Sequence, residues 1–203
     1  QTKEFLDNNI NIMRNTFALL EKYNKPFIFT SSQMSSMTHS SYGTTKKIGE
    51  FYTNALNGLN IKFWNVFGYE DPKFPEKFHV FTDFVNSAKN DKKIKCKTNG
   101  LEERQFLHSS EAAEALFILF ENYEKLNKNE EFAITSFKWE KIKEIANHIK
   151  SKFTDIELEF NSNIDTVQAG IKNEPSKHIL KYWQPKLSLK DGVELLIKEM
   201  EKE

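Results

Sequence analysis

The sequence is poor in the residues that mark a disulfide scaffold, a membrane protein or a nucleic-acid binder. One cysteine, Cys96, stands among 203 residues. A lone thiol excludes an intramolecular disulfide framework and a cysteine-rich metal cluster, and it fits a reducing cytoplasm. Neither sign of charge is in excess, because 29 Lys and Arg balance 29 Asp and Glu. Nothing in that balance favours nucleic acid or an anionic membrane surface as a partner. The apolar runs are far shorter than the ~20 residues that span a bilayer. The histidines, His39, His79, His108, His148 and His178, show no metal-ligand spacing, so no metal site is expected. Glycine is scarce too: there are 7, the first is Gly43, and no Gly-x-x-Gly-x-x-Gly occurs. The opening residues, Gln1-Thr-Lys-Glu-Phe5, have neither a signal-peptide pattern nor an initiator Met. That start points to a processed chain or a piece of a longer one.

What is present is an alternation of helical and extended patterns. Ile10, Met13, Phe17 and Leu20 recur at helical spacing and predict a helix over 3–23. Phe27-Ile-Phe-Thr30 is a short continuous apolar run of the kind buried in a parallel sheet. A helix over about 42–57 is expected next, then one strand over 60–66 and a helix over 77–90. Extended pieces at 93–97 and 104–108 flank the turn Asn99-Gly100. A helix over 110–123 is expected to bury Ala113, Leu116, Phe117 and Phe120. A strand at 131–135, a helix at 138–151 and a strand at 155–160 continue the pattern. Ser188 is placed to cap a last helix, 188–202, three residues before Asp191, with Val193, Leu196, Ile197 and Met200 as its buried stripe. This order predicts an α/β fold with a mainly parallel sheet. A compositional shift after about residue 160 suggests a division into 1–160 and a smaller lobe, 161–203.

The segment with the most chemistry is Tyr42-Gly-Thr-Thr-Lys46, which follows Thr30-Ser-Ser32 by ten residues. Residues four apart on a helix share a face, so the Lys ammonium is placed to act on the phenol. A fixed cation favours phenolate, and the pair suits proton transfer to and from an alcohol, with a Ser hydroxyl nearby to orient it.

Five segments in order resemble the extended short-chain dehydrogenase/reductase family, and within it the nucleotide-sugar epimerases and dehydratases of the UDP-galactose 4-epimerase type. They are Asp7-Asn-Asn9 in the first helix, Phe27-Ile-Phe-Thr-Ser-Ser32 with Tyr42-x-x-x-Lys46, and Phe63-Trp-Asn-Val-Phe-Gly68. Gly100-Leu-Glu-Glu-Arg104-Gln-Phe-Leu-His108 and the closing run from Leu180 through Trp183 to Val193 complete the set. The resemblance implies a Rossmann-like, doubly wound, mainly parallel sheet with a small α/β substrate-binding lobe. It implies Tyr42 as the acid/base, Lys46 as the ligand of the nicotinamide ribose, and Ser32 as the hydrogen-bond partner of the reacting hydroxyl. On the cofactor side, for NAD or NADP, it adds Ser31, Trp64 and Asn9 to Tyr42 and Lys46. Asn65 and Arg104, with Ser32, are implied to contact the sugar nucleotide, Arg being suited to phosphate by its bidentate fork. It also implies a homodimer through helices 3–23 and 42–57.

The departures are informative. The Ser-to-Tyr connection is cut to Gln33–Ser41, which leaves Ser35 or Ser36 as alternatives for the Ser role. Gln33-Met34 stands where the 4,6-dehydratases carry Asp-Glu, so sugar dehydration is disfavoured. Lys62 replaces the family Arg, Gln105 replaces an Asp, and Lys172 is the nearest cation to the second diphosphate Arg. His39 lies close to Tyr42 and reads as an exposed loop histidine. The Gly-rich turn that cradles dinucleotide phosphates is not in these residues, so the sequence reads as the C-terminal two-thirds of such an enzyme. The expected activity is NAD(P)-dependent epimerisation or oxidoreduction of a nucleotide-activated sugar. The alternatives are an NADP-dependent 4-keto-sugar-nucleotide reductase and a non-catalytic relative kept for binding or assembly.

Overall fold

The computed structural model of the chain describes residues 3–37, 40–165 and 173–202. His39 and Lys172 lie outside the described residues. Along the chain run α1 (Lys3–Tyr23), β1 (Ile28–Ser32), α2 (Ser41–Ala55), β2 (Leu59–Phe63), β3 (Asn65–Phe67), α3 (Val80–Asp91), β4 (Lys93–Cys96), β5 (Glu103–Arg104) and β6 (Phe106–His108). Then follow α4 (Ser109–Glu121), β7 (Phe132–Ile134), β8 (Glu140–Lys141), α5 (Ile142–Lys150), β9 (Glu157–Phe160) and α6 (Leu189–Glu201). Among the described residues no helix is long and apolar enough to cross a membrane.

The chain forms two compact units, each assembled from three stretches. Unit one takes Gln1–Trp64, Glu114–Ile134 and Asn173–Gln184; unit two takes Asn65–Ala113, Thr135–Lys172 and Pro185–Glu203. A cut between 160 and 161 falls inside unit two, because a shift in composition marks where side chains change and not which segments pack together.

Unit one is built on a parallel sheet in the order β1-β2-β7. Ile28 pairs with Leu59 and Ser32 with Phe63, and Ile61 to Phe63 pair with Phe132 to Ile134. The central strand is buried, with Leu59 and Ile61 fully enclosed, as a strand covered on both faces requires. Of the expected α1 stripe, Phe17 is buried, while Ile10 is 45 % exposed. Phe17 packs edge-on to Phe27 and stacks on Tyr52 of α2.

Unit two joins three strand pairs: β3 with β6 and β4 with β9, both parallel, and β5 with β8, antiparallel. Its core sets Phe67, Phe81, Phe84, Ile94 and Phe106 against Ile145 and Ile149 of α5 and Val193 and Leu196 of α6. Burying each such side chain contributes roughly 2 kcal/mol. Ser188 caps α6 by accepting from the Asp191 N–H, and Asp191 answers by accepting from the Ser188 N–H. This reciprocal pair satisfies two backbone donors that a helix start leaves open.

Two expectations are corrected. The single strand over 60–66 is two strands in different sheets, broken at Trp64, because an apolar run specifies extended backbone without specifying its partner. The buried face of α4 is Ala112, Ala115 and Leu119, whereas Phe117 and Phe120 are 58 % and 66 % exposed and Ala113 is exposed too. Apolar residues run almost without a break from Ala112 to Phe120, interrupted only by Glu114, so their periodicity selects no single face. The alanine side is the one that packs inward.

Candidate functional site

In unit one the site grows from the end of β1. Ser32 closes the strand and caps the 3-10 turn Gln33–Ser36, its hydroxyl oxygen accepting from the Met34 N–H at 3.2 Å. Ser40 then caps α2 by accepting from the Gly43 N–H at 3.1 Å. Two glycines decide how closely α2 approaches what precedes it. A Cβ at Gly43 would lie 2.0 Å from the Met34 carbonyl oxygen, and one at Gly49 would lie 2.1 Å from the Phe29 ring. Helix backbone therefore rests directly on the turn and on β1. Lys46 lies between them on the same face, and its ammonium donates to the Thr30 carbonyl at 2.8 Å.

The same Nζ stands 5.4 Å from the Phe29 ring centroid and 5.7 Å from that of Tyr42, within the range of cation–π attraction. Burial lowers the Lys46 pKa. Tyr42 is half-buried on the first turn of α2, one helical turn before Lys46. Ser32, Tyr42 and Lys46 are thus gathered on one strand end and the helix laid against it. The chemistry available is a hydroxyl donor/acceptor, a phenol and a fixed cation.

Beneath them lies a charged cluster that sequence reasoning did not identify. Glu50, 5 % exposed, accepts from the Ser31 hydroxyl at 2.6 Å and pairs with Lys47 at 2.9 Å. Lys62, 7 % exposed, reaches the Glu50 carboxylate at 3.6 Å and that of Glu131 at 2.5 Å. Burial by itself would raise the Glu50 pKa. Hydrogen bonds from Ser31 and Lys47, with the Lys62 charge, outweigh it and hold the carboxyl below its usual value. Ser31 is therefore a buried donor to Glu50. A signal for this cluster existed: a lysine between Ile61 and Phe63 in a buried strand needs an anion beside it.

Asn9 donates its amide to the Phe5 carbonyl within α1. Trp64, 9 % exposed, follows β2, and its N–H donates to the Ile134 carbonyl at 3.3 Å.

In unit two, the Asn65 side chain donates to the Gln105 carbonyl at 3.0 Å. Gln105, buried, accepts from the Thr135 hydroxyl at 3.1 Å. Arg104 precedes Gln105 and lines a cavity of about 230 Å³ together with Phe78, Phe84, Lys97, Glu102 and Asp165. Its guanidinium donates to the Glu103 carbonyl at 2.7 Å and to the Asp165 carboxylate. His108 is buried; its Nδ1 lies 2.8 Å from the Ser110 hydroxyl and its Nε2 3.6 Å from Glu199. Burial lowers its pKa against the opposing pull of Glu199 and Glu111. Among the described residues no group of three or more His, Cys, Asp or Glu is arranged to hold a metal ion.

The sequence profile of the NAD dependent epimerase/dehydratase family matches residues 1–135, the stretch that carries β1, α2 and β2. The chain belongs to the NAD-dependent epimerase/dehydratase family.

Solved structures agree on the fold of this epimerase/dehydratase chain. ADP-L-glycero-D-manno-heptose-6-epimerase of Helicobacter pylori superposes with a TM-score of 0.83 at 15% identity, over 99% of this chain and 68% of that one. dTDP-glucose 4,6-dehydratase of Bacillus anthracis, solved with NAD, gives 0.79 at 18% identity, over 100% of this chain and 70% of that one. UDP-N-acetylglucosamine 4-epimerase of Methanobrevibacter ruminantium gives 0.75 at 19% identity, over 95% and 70%. No curated relative matches the sequence.

Proposed function

We propose that the chain carries the proton-transfer and sugar-nucleotide-binding residues of an NAD(P)-dependent enzyme that epimerises, oxidises or reduces a nucleotide-activated sugar. The observation that carries this reading is Tyr42 and Lys46 on one face of α2, with the Lys46 ammonium anchored on the Thr30 carbonyl at 2.8 Å. Family membership and neighbours solved with NAD, or with UDP-glucose and NAD, support it.

The donor set fits the nicotinamide-ribose end of a dinucleotide. Lys46 commits one of three ammonium hydrogens to Thr30, and the others suit the vicinal hydroxyls of a ribose. The Gly-rich phosphate cradle is not in this sequence. When bound, the dinucleotide supplies the hydride chemistry. The chain's own residues move and place the proton. Tyr42 takes it from a sugar hydroxyl and returns it. Lys46 holds positive charge 5.7 Å from the phenol ring centroid. Ser32 accepts from Met34 and so keeps its own O–H to orient the substrate. Arg104 receives the diphosphate, with Asn65 beside it on the strand paired with β6.

Tyr42→Phe in the full-length enzyme tests the reading, with NAD, UDP- and dTDP-hexoses and detection of reduced nicotinamide and product sugars. Turnover is expected to vanish while nucleotide-sugar binding persists; retained turnover refutes the assignment. An isomeric product sugar of unchanged mass without net reduced cofactor identifies an epimerase, and accumulating reduced cofactor a dehydrogenase.

A homodimer through α1 and α2 is part of the proposal. Ile12 and Leu19 of α1 are 65 % and 56 % exposed, and Phe51 of α2 is 61 % exposed. Such apolar area on neighbouring helices is the kind a second copy covers.

A further inference from the structure

We propose that Asp165 is a specificity-determining residue of the anion site in unit two: its carboxylate occupies the Arg104 guanidinium and yields it only to a ligand as highly charged as a diphosphate. The inference rests on the reading of Arg104 as the diphosphate ligand.

The Arg104 side chain is 12% exposed and that of Asp165 22%, so the pair is largely withdrawn from water. One guanidinium nitrogen is already fixed on the Glu103 carbonyl and the other donates to Asp165. The fork that would grip phosphate oxygens is therefore held, in its resting state, by the protein's own anion.

The walls of the cavity are balanced in the same way. Lys95, Lys97 and Arg104 face Asp83, Glu102 and Asp165. Glu102 accepts the Thr98 hydroxyl, and burial raises the Asp83 pKa against the pull of Lys97. Asp165 is delivered by the segment after β9, which is tied two residues earlier where the Asn99 N–H donates to the Asn163 carbonyl at 2.9 Å.

A tethered carboxylate competes as though present at millimolar concentration or above. An anion with one point of attachment gains at Arg104 little more than it displaces. A diphosphate brings more charge and more acceptor oxygens, and Lys95 and Lys97 are among the residues that line the same cavity. It wins where phosphate or sulfate does not. Asp165 thus converts a general anion site into one selective for diphosphates.

The test is calorimetric titration of inorganic pyrophosphate and inorganic phosphate into the wild type, Asp165→Asn and Arg104→Met, with circular dichroism to confirm folding and Asp165→Ser as a second variant. Asp165→Asn keeps the side-chain shape and removes the charge. Pyrophosphate is expected to bind about tenfold tighter than to the wild type, phosphate to gain at least as much, and the preference between them to narrow. Arg104→Met is expected to lose pyrophosphate binding. No tightening in either Asp165 variant, with binding lost in Arg104→Met, overturns the role of Asp165 and leaves Arg104 as the anion ligand. Binding undiminished in Arg104→Met overturns the reading of Arg104 itself.

Discussion

Gly43→Ala separates two opposing effects whose sizes can be compared. In an α-helix, replacing Gly by Ala is expected to add about 1 kcal/mol of stability. At Gly43 the added methyl would stand 2.0 Å from the Met34 carbonyl oxygen, 2.9 Å from the Met34 carbonyl carbon and 3.0 Å from the Met37 carbonyl oxygen. All three obstacles are backbone atoms, so no side chain can swing aside. Relief requires the first turn of α2 or the turn Gln33–Ser36 to shift by about an ångström, and overpacking of this kind costs about 1–3 kcal/mol or more. The steric effect wins, with a net loss of about 1–2 kcal/mol. For a chain of this size that lowers the melting temperature by about 2–8 °C. The assay is thermal unfolding followed by far-UV circular dichroism, with Thr44→Ala as control. Thr44 is the next residue on the same turn and is exposed, so its substitution reads helix propensity alone. A Gly43→Ala protein that melts at or above the temperature of Thr44→Ala refutes the account of how α2 is seated.

Glu50→Gln is expected to cost about 3 kcal/mol at neutral pH, the low end for breaking a buried ion pair, because Lys62 keeps Glu131 as partner. Its pH signature has a definite sign. The folded pKa of Glu50 is lowered, so its contribution is present above the ordinary Glu value near ~4.3 and is lost as pH falls through the folded value. Urea titrations of the variant should therefore show a shallower acid limb than the wild type, and parallel limbs count against the cluster. Light scattering is expected to read a dimer, and Phe51→Glu, which charges the exposed face of α2, to shift it to monomer; a monomeric wild type removes the proposed interface.

Much of the architecture was legible because it rests on local rules. The alternation of apolar runs and helical periods predicts the α/β class, and the structure carries parallel strands and helices in that order. Ser188 announced the start of α6 because a hydroxyl before an apolar stripe satisfies open backbone donors within one turn of chain. Tyr42 and Lys46 were legible because four residues of helix bring two side chains to one face. Other features had no local signature. Trp64 ends one strand and begins the path to another, yet the run around it reads as continuous. Phe117 and Phe120 outrank Ala112 and Ala115 in hydrophobicity, but the small side chains face inward.

The sequence by itself determined the alternation of strands and helices, the family to which the chain belongs and the helix face that carries Tyr42 and Lys46. Those follow from spacing over a few residues, where backbone geometry is the same in every protein. Tertiary structure alone decided what each of those residues touches. It laid α2 against β1 at glycine distance, gave Lys46 the Thr30 carbonyl, enclosed Glu50 with Ser31 and Lys62, and set Asp165 on Arg104 across 61 residues of chain. The physical reason is that charge pairing and close packing depend on distance in space, and separation along the chain does not report it.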